Sequence, residues 1–197
     1  MANLSIKTGT ISRSMLVGNP AYSPTAFESI ATAVGTGSNT SVTFSSIPAT
    51  YKHLQIRSIV KTNSGTTLGV ANLAFNGDGG ANYVRHRLYG DGTSVVADSS
   101  TGASSIVGAA WGTGSPSGST NTVGPSIIDI LDYTSTTKNK VIRSFGARNY
   151  ADSNGFVQLL SGLWLNTAAV TSITFTITGG SAFDSQTVFA LYGIKGA

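Results

Sequence analysis

The sequence predicts an all-β fold: a jelly-roll-like antiparallel β-sandwich over residues 26–197, preceded by an extended N-terminal arm over residues 1–25. Three observations carry that expectation. Charged residues make up 10% of the 197, well under the ~25% of ordinary soluble domains. Ser, Thr and Gly stand in their place; Thr suits a pleated strand, Gly and Ser a tight turn. Short apolar runs then recur from residue 26 onward at the spacing of a sandwich or barrel. Finally, exposed helix faces draw on Glu, Lys and Arg, and Glu28 is the only glutamate.

The arm, MANLSIKTGTISRSMLVGNPAYSPT, has no sustained alternation and ends near two prolines. Its apolar residues Ile6, Ile11, Met15, Leu16 and Val17 either fold back on their own domain or pin the chain to a neighbour. On the second reading Ile11, Met15, Leu16, Val17, Pro20 and Tyr22 form a docking segment, and 20 extended residues would span up to ~70 Å.

The strand candidates follow in order: Phe27–Val34, Ser41–Ile47, Tyr51–Lys61, Val70–Phe75, Tyr83–Tyr89, Ser94–Ala97, Ser105–Ala109, Ile127–Leu131, Val141–Phe145, Phe156–Leu165, Thr171–Thr178 and Val188–Ile194. The clearest is Thr171–Thr178, where Ile173, Phe175 and Ile177 alternate with Ser and Thr, so one face is apolar and one polar. Phe156–Leu165 is apolar on both faces apart from Gln158 and Ser161. That pattern suits a central strand or one covered by a partner subunit. About ten strands of this length fit a jelly roll or a similar Greek-key sandwich. Asn76-Gly77-Asp78-Gly79-Gly80, Gly90-Asp91-Gly92, Asn154-Gly155 and Gly179-Gly180 supply residues that tolerate the positive φ of tight turns. Gly112–Gly124 is a low-complexity loop. Ile47–Tyr51, with Pro48, suits one helical or 3₁₀ turn.

Composition narrows the function classes. There is no Cys, so disulfides and thiolate chemistry are excluded. Net charge is +4, but the basic residues are scattered and form no stripe, which argues against specific nucleic-acid binding. No segment approaches the ~20 apolar residues of a membrane helix, and residues 1–20 lack the apolar core of a signal peptide. Synthesis in a cytoplasm, without membrane insertion, is the expectation.

Catalytic constellations are sparse. His53 and His86 lie in strand candidates and share no metal-ligand spacing, so no metal site and no cofactor are expected. Asp129 interrupts the apolar run IIDIL and needs a partner if buried; Arg143 on the next strand is the candidate. Asp132 follows three residues on. Neither Asp pairs with Glu28 in a recognisable acid–base motif, and no nucleophile elbow or phosphate loop is present. A non-enzymatic protein is expected. The Asp78 and Asp91 turns read as ordinary β-turns, since each offers one carboxylate where calcium wants six to eight oxygens. Among Tyr83, Tyr89, Trp111, Tyr133, Tyr150 and Trp164, Trp164 reads as core. Trp111, bordering the Gly/Ser loop, is the best exposed candidate for stacking on a sugar. The loops around Asp78, Asp91 and Trp111–Asn121 are expected to face outward.

Several segments, taken in order, resemble a family of small structural proteins of tailed bacteriophages. They are Phe27-Glu28-Ser29-Ile30-Ala31-Thr32, Thr43 to Arg57, Phe75-Asn76-Gly77-Asp78 with Asn82-Tyr83, Leu88-Tyr89-Gly90-Asp91-Gly92, Ile128 to Tyr133, Ser161-Gly162-Leu163-Trp164 and Phe189 to Gly196. The resemblance covers about residues 27–196 and brings no catalytic residues. It implies a virion component and a homo-oligomer, a trimer by analogy, contacting major capsid or tail proteins. A compact knob with an arm and no heptad shaft suits a capsid decoration protein; a tail-fibre module that recognises a host surface glycan is the alternative.

Overall fold

Period-two alternation builds the strands, and residues between them reverse the chain where Gly or Asn accepts positive φ. The computed structural model describes residues 26–66, 68–114, 121–149, 155–177 and 181–196. Its strands are β1 (Phe27–Val34), β2 (Ser41–Phe44), β3 (His53–Val60), β4 (Leu68–Phe75), β5 (Tyr83–Gly90), β6 (Val95–Ala103), β7 (Ile106–Thr113), β8 (Gly124–Leu131), β9 (Lys140–Arg148), β10 (Phe156–Trp164), β11 (Ile173–Ile177) and β12 (Val188–Ile194). They form two antiparallel sheets. The large one has eight strands in the order β1-β12-β3-β8-β9-β10-β5-β6, and the small one four, β2-β11-β4-β7. The β-sandwich matches the expectation. Its two sheets hold eight and four strands. The arm, residues 1–25, lies outside the described residues.

The core lies between the sheets. Leu54, Ile56, Ile128, Ile130 and Leu191 from the large sheet meet Leu73, Phe75, Ile106 and Phe175 from the small one, all at 0% exposure. Phe189 stacks on Phe175 at 4.3 Å and meets Phe183 edge-on, an arrangement that adds to plain area burial. Two glycines set the sheet spacing beside β7. A Cβ on Gly112 would lie 2.5 Å from Val60, and one on Gly162 2.8 Å from Ile106.

The Asn76-Gly77 turn forms as its residues dictate, with φ of 51° and 68°. The Asn76 side chain also ties this turn to the segment before β11. Its Oδ1 accepts from the Thr171 and Ser172 amides, and its Nδ2 donates to the Ala169 carbonyl. A buried lysine does similar work elsewhere. Lys140 is fully buried, and its Nζ donates to the carbonyls of Ser135, Lys138 and Thr167 at 2.6, 2.7 and 3.0 Å. Burial pushes its pKa down, while the three carbonyls replace the water it lost.

Three local expectations need correction. Ile47–Tyr51 makes a turn at Ala49-Thr50, without helix; the Pro48 carbonyl accepts from the Tyr133 hydroxyl instead. The strand expected at Ser94–Ala97 runs on to Ala103. The strand expected to stop at Ala109 continues through Trp111 to Thr113, because Gly112 lets the backbone pass close to Val60.

Candidate functional site

The outward face of the large sheet is where side chains, exposure and shape coincide. An antiparallel sheet with one solvated face normally shows it polar residues. Here the outward positions of β8, β9, β10 and β5 are largely apolar: Ile127, Leu131, Val141, Phe145, Val157, Leu159 and Leu88 are all exposed. Cross-strand register lines four of them up, since Ile127 pairs with Phe145, Phe145 with Leu159 and Leu159 with Leu88. This row crosses four strands, and Phe145 and Leu159 leave 50% and 56% of their surface in water. The row and its neighbours line a concavity of about 660 Å³.

A polar row runs beside it. Gln55 pairs with Asp129, Asp129 with Arg143, Arg143 with Ser161, and Ser161 with His86. The Asp129–Arg143 contact expected from adjacent strands forms: Arg143 Nε donates to Asp129 Oδ2 at 2.7 Å. Gln55 Nε2 donates to Asp129 Oδ1 at 2.8 Å, so both carboxylate oxygens are engaged. The pair sits on the outward face rather than in the core, with the Arg143 side chain 75% exposed. Its Nη nitrogens make no hydrogen bond to the described residues, leaving donors toward solvent.

The other sequence candidates are spread out. Asp132, at φ 47°, takes Lys52 and Lys138 at 2.8 and 2.9 Å, and these two ammonium groups hold its carboxyl down at about 2. Its amide donates to His53 Nδ1, which occupies that imidazole in a turn. Glu28 accepts from the Tyr51 hydroxyl and from Lys195, at the β1 edge of the sheet. His86 lies in the outward polar row. Glu28, His53 and His86 therefore sit on β1, β3 and β5 and share no cleft. Among the described residues, no group of three or more His, Asp or Glu side chains is placed to hold a metal ion.

Asp78 and Asp91 lie beyond opposite ends of β5, and both are half-buried. Asp78 accepts from Trp164 Nε1, Asn82 Nδ2 and the Gly80 amide, which lower its pKa. The Ser94 and Thr93 amides close the Asp91 turn and depress its carboxyl to about 2. Both turns are held by local hydrogen bonds, as the β-turn reading expects.

Trp111 is the main correction among the aromatics. It is 6% exposed, stacked on Phe156 at 4.0 Å with Arg87 over its ring. Tyr83, Tyr133 and Trp164 are buried in the core; Tyr150 lies outside the described residues, as do Ile11, Met15, Leu16, Val17, Pro20 and Tyr22. Tyr89 is half-buried and stacks on Phe156 at 4.9 Å, so none of the described candidates is fully exposed. The outward apolar row was missed because its members come from four separate strands. The signal was present in the sequence as β10, whose run is apolar on both faces.

No family model, no curated protein and no solved structure matches this chain.

Proposed function

We propose that the chain is a non-enzymatic structural protein on the surface of a tailed-phage particle, of the capsid decoration or cement type. The observation that carries this reading is the outward face of the large sheet. Four aligned apolar side chains, each from a different strand and each about half exposed, make a surface suited to protein contacts and poorly suited to water. The ordered phage-like segments between residues 27 and 196 supply the particle. In this reading the sandwich makes the contacts with other copies, and residues 1–25, with Ile11 and Met15 to Tyr22, reach the major capsid or tail proteins. The absence of a shaft motif favours the head over the tail. The test is immunogold labelling of purified virions with antibody to this chain. Gold over heads is expected; no gold on intact particles would overturn the assignment.

A second reading, a tail appendage that recognises a host glycan, is favoured by one observation. At the Asp91 end a cavity of about 390 Å³ is lined by Gly90, Gly92, Pro125, Arg148 and Phe156. Gold at tails, with glycan-array binding lost in Arg148→Ala, would support it. Trp111→Ala is not a useful probe here, because that ring is packed inside.

A further inference from the structure

We infer that the outward face of the large sheet is a two-fold interface, and that its occupant is the same face of a second copy of this chain. The face has a centre. In the order β1-β12-β3-β8-β9-β10-β5-β6, the seam between β8 and β9 is the midline, with four strands on each side. Across that seam three outward pairs stand in register: Leu131 with Val141, Asp129 with Arg143, and Ile127 with Phe145. The block reads apolar, charged, apolar, and each pair has one member on each strand.

An isologous contact requires residue i to meet j while j meets i. A two-fold axis along the strand direction over the β8–β9 seam does this. It brings β8 of one copy over β9 of the other. Asp129 then faces Arg143 of the second copy, and Arg143 faces Asp129, while Ile127 meets Phe145 and Leu131 meets Val141 twice over. The chemistry has room for the exchange. Within one copy Arg143 uses only Nε on Asp129, and the outward Nη nitrogens remain to reach the opposing carboxylate, the fork geometry that suits arginine. A lone Asp–Arg pair set among exposed apolar side chains gains little for a monomer; between two sheets it fixes register.

Charge also discriminates among occupants. Residues 1–25 carry Lys7 and Arg13 and no acid, so they offer no carboxylate to the outward Arg143 donors. A second copy offers Asp129. Size is sufficient as well. Seven strand spacings of ~4.8 Å and seven residues at ~3.4 Å project roughly 800 Å², close to the area each partner buries in a standard interface. Stacked sheets pack at ~10 Å with their strands within about 30° of each other, which is the geometry this axis produces. The pairing does not depend on the particle to which the chain belongs.

The test is association of the full chain by sedimentation equilibrium from roughly 1 to 100 µM, with native mass spectrometry of mixtures. The wild-type chain is expected to dimerise. Arg143→Asp places two acids on the seam and Asp129→Arg two bases, so each alone should raise the dissociation constant roughly tenfold or more. Mixed, the two variants should form heterodimers, because acids then face bases. That rescue cannot come from the intramolecular pair, which is broken in both chains. Phe145→Ser keeps the charged pair, removes an apolar contact that the axis makes twice, and should also weaken the dimer, with circular dichroism melts confirming that each variant is folded. A wild-type monomer throughout the range, a dimer indifferent to all three variants, or a mixture without heterodimers would overturn the inference.

Discussion

The two faces of the large sheet use the same strands to opposite ends. Along β9, the inward positions are Lys140, Ile142, Ser144 and Gly146, and the outward ones begin Val141, Arg143 and Phe145. Along β10 the inward side includes Gln158 and Gly162, while Val157 and Leu159 point out. Three inward polar side chains on these strands donate inside: Ser144 Oγ to the Ala109 carbonyl, Gln158 Nε2 to the Gly108 carbonyl, and Lys140 to three carbonyls. The outward apolar groups are exposed. A sheet that accommodates polar side chains within and presents Phe, Leu and Ile without is arranged for a contact on both sides. The inward contact is β7 and the core; the outward one, on the proposed pairing, is a second copy.

The comparison makes graded predictions. The largest effect belongs to the inward anchor Trp164, packed on Phe75 and Tyr83 with Nε1 bonded to Asp78. Trp164→Ala should cost about 3–5 kcal/mol through its cavity, measured by urea unfolding. Lys140→Met should follow at about 2–4 kcal/mol, because three carbonyls lose their donor in a buried site. A test within one strand sharpens the contrast. Ile142→Ala should destabilise by about 2–4 kcal/mol, whereas Phe145→Ala, three residues on, should change monomer stability by less than about 1 kcal/mol while reducing association. Equal destabilisation by the two would break the distinction between faces.

The smallest effect is electrostatic and lies at the turns. Asp91 and Asp132 are held at about 2 in the folded chain, below the ordinary value of 3.8. Between about pH 4 and 2 the unfolded chain takes up protons that the folded chain resists. Stability from these groups is therefore present above pH 4 and lost as pH falls through 2. Thermal melts should show that decline, and Asp132→Asn should make it shallower while leaving the Asp91 share intact.

Much of this fold was legible as pattern. Phe27–Val34 and Val188–Ile194 are strands with the bounds that their apolar runs suggest, and the Asn76-Gly77 turn adopts the positive φ that its residues permit. The Asp129–Arg143 pair followed from a carboxylate in an apolar strand and a base on the next. Less legible was anything that depends on how strands are ordered. Val95–Ala103 continues through Asp98, Ser99 and Ser100 because pairing with β5 sustains a polar edge strand. Trp111 looked exposed beside a Gly/Ser loop, yet Phe156 from a distant segment stacks on it. The outward row could not be assembled beforehand, since Ile127, Phe145, Leu159 and Leu88 become neighbours only through the order β8-β9-β10-β5.

The most direct measurement is hydroxyl-radical footprinting of the full chain, read at Phe145, Leu159 and Leu88 in dilute and concentrated solution. Strong modification of all three is expected when dilute and marked protection on association, with Leu68 on the small sheet changing less. Unchanged modification of the three residues across the concentration range in which the chain associates would contradict the proposed pairing.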